Sequence, residues 1–371
     1  MTWLKRKFDY RPHSVSRVCY GKGRLQELGD LLRSLDGRRA LLVTSPSIRH
    51  AGLVDRTQDI LGDCLAGVFD QTQPHSPIEI VQKAVALSKE LDADAVVSLG
   101  GGSCVDTAKG VVHFRLEKYG DRLPHIAVPT TLSGAEFTRA AGITHGSIKK
   151  VVRGPHMTAS LVLLDPEAFA ITPPSLVFPS GMNAMHHCIE GVSSVTANDV
   201  SDAMLLHAIR LLRTALPEIK KDPGDLEARG KALAGAALAA MGIFGVSMGM
   251  GHAMAHAIGG RYKTPHATTH AIVSVPAMRF NHDAVIPAQV AIAEALGASP
   301  NREPAQVALE GIERLSRLRA ELEIPSGLAS IGVPNTELQD LAQAVINDVC
   351  FATNPRPATI EDVVGVLRMA L

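Results

Sequence analysis

The chain has few aromatics (4% of 371 residues, with one Trp) and no net charge, 37 Lys+Arg standing against 37 Asp+Glu. A neutral balance excludes a nucleic-acid binder that works by bulk positive charge. Hydrophobic residues reach 46%, which excludes a disordered chain, since that needs low hydrophobicity and high net charge. The five cysteines (Cys19, Cys64, Cys104, Cys188, Cys350) are odd in number, widely spaced and never CxxC. Neither a disulfide framework nor a zinc knuckle is expected, and a reducing cytoplasm is the default setting. The start MTWLKRKFDYRPHS is basic but lacks the apolar core of roughly 7–15 residues that a secretory leader needs. Charge is missing from Ala232 to Gly260, a run long enough to span a bilayer. That run is mostly Ala, Gly and Met with His252 and His256 near its end. Ala and Gly gain little in lipid, so a helix buried inside a globular domain is expected and a membrane partner is not.

The length suggests two domains, each with its own core. Up to about residue 170, short apolar runs alternate with amphipathic segments. Arg39–Thr44, Ala93–Leu99, His125–Pro129 and Leu161–Asp165 read as strands, and Glu79–Leu91 has helical spacing. Strands alternating with helices imply a parallel sheet covered on both faces. After Pro173-Pro174, Met182–Thr196, Val200–Leu216, Leu226–Gly251, Ile286–Leu296, Pro304–Leu322 and Thr336–Asn347 favour helix, with joints expected at Pro217, Pro223, Pro265, Pro300 and Pro325. The expected fold is therefore an α/β dinucleotide-type domain over 1–175 followed by an all-helical domain over 176–371.

Four segments carry chemistry. In Ser98-Leu99-Gly100-Gly101-Gly102-Ser103-Cys104-Val105-Asp106, a buried strand runs through three glycines into a helix. Glycines admit close backbone approach, and the free N–H groups of a helix N-terminus suit a pyrophosphate. Ser103 with Asp106 has capping-box spacing. Pro129-Thr130-Thr131-Leu132-Ser133-Gly134 follows another strand, at the edge where ligands of an open parallel sheet collect. Gly181-Met182-Asn183-Ala184-Met185-His186-His187 places Asn183 and His187 on one helix face. Gly251-His252-Ala253-Met254-Ala255-His256 does the same for His252 and His256, with Pro265-His266 and Thr269-His270 beyond. A single such histidine is more often a hydrogen-bonded core residue. Several of them in a stretch almost free of charge point to metal ligation or proton transfer.

Taken together, GGGSCVDTAK at 100–109, PTT at 129–131, GMNAMHHCIE at 181–190, GHAMAHAIGGRYKTPHATTHA at 251–271 and Asn354-Pro355-Arg356-Pro357 resemble the iron-containing (group III) alcohol dehydrogenase family over nearly the whole chain. The likeness is nearest to its maleylacetate reductase branch, through Gln73-Pro74-His75-Ser76-Pro77, Asn183 and the 259–271 run. The resemblance implies a dehydroquinate synthase-like architecture, a cleft between the domains, a homodimer, and reversible hydride transfer between NAD(P)H and a carbonyl. It implies that Gly101, Gly102 and Ser103 hold the pyrophosphate, and that Thr130, Thr131, Lys150 and Leu176 surround the rest of the dinucleotide. It puts His256 beside nicotinamide and substrate, with His252 and His187 as further catalytic candidates.

In metal-dependent members one Asp and three His bind Fe2+ or Zn2+. Their places here are Asn183, His187, His252 and His266. A neutral amide oxygen is a poorer ligand for a divalent cation than a carboxylate, and the reductase branch implies histidines acting without a required metal. The alternative that the resemblance leaves is a metal-dependent alcohol dehydrogenase acting on an aldehyde or primary alcohol. A lyase on the same fold and a non-catalytic scaffold are further readings. Arg139, Arg261 and Lys263 would suit a carboxylate-bearing small-molecule substrate if they face the site. Ser45, after the strand Leu41–Thr44, stands where many NAD-preferring relatives carry Asp. Without that carboxylate, and with Arg49 close by, NADPH is expected to serve alongside NADH.

Overall fold

The structure is a computed structural model and describes residues 15–146 and 148–371; the basic start at 1–14 lies outside the described residues. The chain divides into two compact units, one of residues 15–173 with Gly224–Leu233, the other of Pro174–Pro223 with Ala234–Leu371.

The first unit is built on strands β1 (Arg17–Tyr20), β2 (Ala40–Val43), β3 (Leu65–Phe69), β4 (Ala95–Gly100), β5 (His125–Pro129) and β8 (Leu161–Leu164), in the order β1-β8-β5-β4-β2-β3. Every pairing is parallel. Strands β6 (Ala140–His145) and β7 (Ile148–Arg153) form a separate antiparallel pair. The helices are α1 (Leu28–Arg33), α2 (Pro46–His50), α3 (Leu53–Leu61), α4 (Ile78–Glu90), α5 (Gly102–Tyr119) and α6 (Pro166–Ala170). Alternation along the strands explains why the sheet is buried on both faces. Leu42, Val97 and Leu99 pack with Leu28, Leu32 and Val54 on one side. Leu41, Val43 and Val96 pack with Val81, Val85 and Val111 on the other. The short, half-buried β3 and the edge strand β1 carry too little apolar signal to be read from sequence.

The second unit holds helices α7 (Pro174–Ser193), α8 (Asp199–Lys221), most of α9 (Leu226–Gly242), α10 (Met250–Tyr262), α11 (His266–Asn281), α12 (Ile286–Ala295), α13 (Pro304–Glu321), α14 (Leu338–Ile346) and α15 (Ile360–Ala370). Three expectations are corrected here. Gly224–Leu233 groups with the sheet unit, because buried Arg229 donates to Phe169 O at 2.7 Å and to Thr172 O at 3.2 Å. Pro217 lies inside α8 rather than at a joint. The run Leu226–Gly251 is not one helix: α9 ends at Gly242, and the axis turns by 103° before α10. Among the described residues no single helix is long and apolar enough to cross a membrane. Ala253, Met254 and Ile258 of the charge-free stretch instead pack in a core with Ile272, Leu341 and Val366.

Candidate active site

The sheet gathers three strand ends. β4 lies between β2 and β5, so the turns after these strands, carrying Ser45, Gly101 and Thr130, share one carboxyl edge. Gly100 has φ +146°, and a Cβ there would stand 2.5 Å from Cys104 Sγ. Gly101 is the extended N-cap of the 18-residue α5; a Cβ on it would stand 2.9 Å from Thr131 Cγ2. Thr131 Oγ1 is buried with no hydrogen-bond partner. Bare backbone, an unsatisfied hydroxyl and a helix N-terminus together fit the pyrophosphate of a dinucleotide. Ser45 joins this turn through buried Cys104, whose thiol faces Ser45 and Thr72 and is pushed up by burial. Thr130 is fixed by its own N–H to Gly100 O at 2.9 Å and by Thr172 Oγ1, which donates to its carbonyl at 2.5 Å.

The expected capping box is absent: no side chain caps α5, and Asp106 accepts from Gly142 N at 3.1 Å. Ser103 is half-buried, and its carbonyl accepts from Ser76 Oγ at 3.2 Å. Lys150 stands exposed on β7, and Leu176 is exposed in the first turn of α7. Arg49, offered as a partner for a 2′-phosphate, is already paired with Asp70 and Asp55. Sequence reasoning gave Lys109 no role. It is fully buried in α5 and donates to Ala135 O, Thr138 O and Oγ1, and Ala140 O at 2.6–2.9 Å. It thereby ties the segment after Thr131 to the helix; burial lowers its pKa to about 8 and raises that of neighbouring Glu136 to about 7.

In the helical unit, α7, α10 and α11 bring six imidazoles together. The rings of His186, His252 and His270 lie 4.5–5.0 Å apart, His187 is 5.2 Å from His252, and His266 is 4.4 Å from His270. Glu190 organises them. Its carboxylate accepts from Gly249 N at 3.0 Å, Gly251 N at 2.6 Å and His252 Nδ1 at 2.6 Å. It thus caps α10 and explains why a new helix starts there. Gly251 is required for that approach, since a Cβ would overlap the His186 ring. Burial opposes ionisation of Glu190, but His186, His252 and the Gly249 N–H hold its carboxyl far below the usual range. Burial pushes His186 down to about 4 and His187 and His270 well below 6.5, with the neighbouring imidazoles adding to the effect. These three rings are neutral at pH 7.

His256 is different. Its side chain is 43% exposed, and Nδ1 donates to Asp348 Oδ2 at 3.0 Å. Asp348 is held below its usual range, against burial, by His256 and by the Cys350 N–H. Nothing in the sequence pointed to Asp348, which lies 92 residues away.

The ligand set Asn183, His187, His252 and His266 is not assembled. The buried residues that bring one nitrogen each within 4.8 Å of one another are His186, His252 and His270. His266 is exposed, and its Nε2 meets His270 Nε2 at 3.1 Å. Asn183 Oδ1 is buried without a partner. As placed, His187, His252 and His266 do not bring three nitrogens within 4.8 Å of one another.

A parallel α/β unit with a glycine turn and a helical unit bearing a histidine array fit a nucleotide-dependent enzyme. Residues 15–166 match the family described as iron-containing alcohol dehydrogenase, and 178–371 match the Fe-containing alcohol dehydrogenase family, C-terminal. The chain is 34% identical to maleylacetate reductase of Pseudomonas sp. (strain P51) over 95% of each chain. It is 32% identical to alcohol dehydrogenase 4 of Saccharomyces cerevisiae (strain ATCC 204508 / S288c), over 95% of this chain and 96% of the yeast protein. The crystal structure of maleylacetate reductase from Agrobacterium tumefaciens superposes with a TM-score of 0.86 at 29% identity, over 98% of each chain. This chain belongs to the iron-containing alcohol dehydrogenase family, close to maleylacetate reductase.

Proposed function

We propose that the chain reduces the carbonyl of a small oxo-acid with NADH or NADPH. It is an oxidoreductase, as its relatives are named. The observation that carries the finer reading is the Asp348–His256 pair. With Nδ1–H held by the carboxylate, His256 presents its exposed Nε2 as the proton-carrying atom. Gly101, Gly102 and Ser103 would hold the pyrophosphate; Thr130, Thr131, Lys150 and Leu176 would hold the remainder, and Ser45 would stand by the ribose. When bound, the nicotinamide supplies the hydride that adds to the carbonyl carbon. The C=O electron pair moves to oxygen, His256 delivers the proton there, and His187 offers an N–H group to the developing alkoxide beside His252, which Glu190 holds in place. No step is drawn through a metal. Arg261 is bound to Glu337 at 2.9 Å.

The second reading, a metal-dependent alcohol dehydrogenase, has the yeast relative in its favour and the unassembled ligand set against it. Following nicotinamide absorbance with maleylacetate and with simple aldehydes, before and after exhaustive chelation, separates the two. Oxo-acid reduction that survives chelation and accepts both cofactors is expected. Activity confined to aldehydes and restored only by Fe2+ or Zn2+ overturns the proposal. A preference for NADH above roughly a hundredfold, about 2.7 kcal/mol, removes its NADPH part.

A further inference from the structure

The helical unit holds a cavity of about 240 Å3 where α11, α13 and α15 meet, and none of its lining residues takes part in the hydride reaction. Val275 and Pro276 of α11 and Met369 of α15 give it apolar walls, and Arg279, Arg319 and Ser326 supply its polar groups. The space holds roughly eight waters at about 30 Å3 each, or one small organic molecule. The two arginines are not equivalent. Arg279 is paired with Glu313 of α13. Arg319, half-buried near the end of the same helix, has no carboxylate partner among the described residues. Its one hydrogen bond to them is long, from Nη1 to Ile272 O at 3.4 Å. That carbonyl lacks its usual helical donor, because Pro276 inside α11 has no N–H to offer it. Burial without a counter-charge lowers the Arg319 pKa. Arginine is rarely buried unless paired, and its planar fork of N–H donors matches both oxygens of a carboxylate.

The geometry points to a binding site for a small organic acid, its carboxylate on Arg319 and its apolar body against Val275, Pro276 and Met369. The carboxylate supplies the acceptor and the negative charge that this guanidinium lacks. Arg279 and Glu313 cancel each other, so Arg319 leaves the cavity one positive charge, which suits a single anionic group. The apolar walls select an organic acid over an inorganic oxyanion, which would leave that surface facing water. The site lies wholly within the helical unit. The inference does not rest on the hydride-transfer reading, and its test reads no activity.

The full-length protein is titrated with benzoate, with its neutral counterpart benzamide and with inorganic phosphate. Binding is followed by the rise in Tm and, for the two aromatic probes, by saturation-transfer NMR. Wild type should bind benzoate with a Kd of about 10 mM or tighter, and benzamide and phosphate roughly tenfold or more weakly than that. R319M should lose roughly tenfold or more in benzoate affinity. S326W, which keeps the charge but fills the cavity, should lose it as well. Circular dichroism checks that each variant is folded, and R319Q serves if R319M is not. Benzoate binding that is equal in wild type, R319M and S326W places the acid elsewhere and overturns the assignment. Benzamide binding as tightly as benzoate removes the role of the guanidinium, and phosphate binding as tightly removes the organic-acid class; either overturns it. Absence of benzoate binding to wild type overturns it in favour of water around Arg319.

Discussion

Gly101→Ala tests the nucleotide cradle. Gly101 has φ −81° and ψ −171°, which any residue adopts, so the substitution strains no backbone and its effect is purely steric. The added methyl would stand 2.9 Å from Thr131 Cγ2 and 3.3 Å from its Oγ1. Thr131 must move, and its unpaired hydroxyl leaves the position where a phosphate or ribose oxygen would meet it. Losing one hydrogen bond to a charged ligand group costs about 1.5–3 kcal/mol, which is roughly a 10–150-fold rise in cofactor Kd. Gly102→Ala is the milder steric change in the same turn. Its methyl meets Ser133 Oγ at 3.4 Å, ordinary contact, inside a helix where Ala is favoured over Gly by up to about 1 kcal/mol. The assay is fluorescence titration of NADH and NADPH with urea unfolding in parallel. G101A should bind weakly at near-normal stability, and Thr131→Ser, which removes the clashing Cγ2, should restore part of the affinity. If G101A binds both cofactors as wild type does, the turn after β4 does not hold the dinucleotide.

Three further outcomes are expected. His256→Ala should lower kcat roughly 10²–10⁴-fold while cofactor Kd stays within about twofold; a near-normal rate removes His256 from the mechanism. Glu190→Gln removes a charge that caps α10, leaving Gly249, Gly251 and His252 donors short of an acceptor, and should cost roughly 2–3 kcal/mol in urea unfolding; no loss shows that the cap is dispensable. His125, buried beside Ser98, is pushed from 6.5 to about 3 by burial and by the Lys109 cation. The unfolded chain therefore takes up this proton first on acidification. The stability is fully present above 6.5 and falls as pH drops through that value, by about 2 kcal/mol between pH 7.5 and 5. Urea midpoints of wild type and His125→Gln at the two pH values should diverge in that sense, and parallel curves refute it.

The sequence by itself determined the parallel sheet, through runs such as Val96–Leu99 and Leu161–Leu164, whose continuous apolar character matches burial on both faces. It also placed the glycine turn at a strand–helix junction, because Gly100–Gly102 between a buried strand and a helical pattern is a local arrangement. The break between α9 and α10 was not legible. The Ala–Gly–Met run reads as one helix until Glu190, from α7, caps Gly249 and Gly251. Asp348 behind His256 was invisible for the same reason. The choice among histidines was likewise tertiary. Spacing pairs Asn183 with His187 and His252 with His256, but rings from three helices meet at His186, His252 and His270. Helical periodicity fixes which residues share a face of one helix, whereas which faces meet, and which nitrogens are left without partners there, follows only from the packing of α7, α10 and α11.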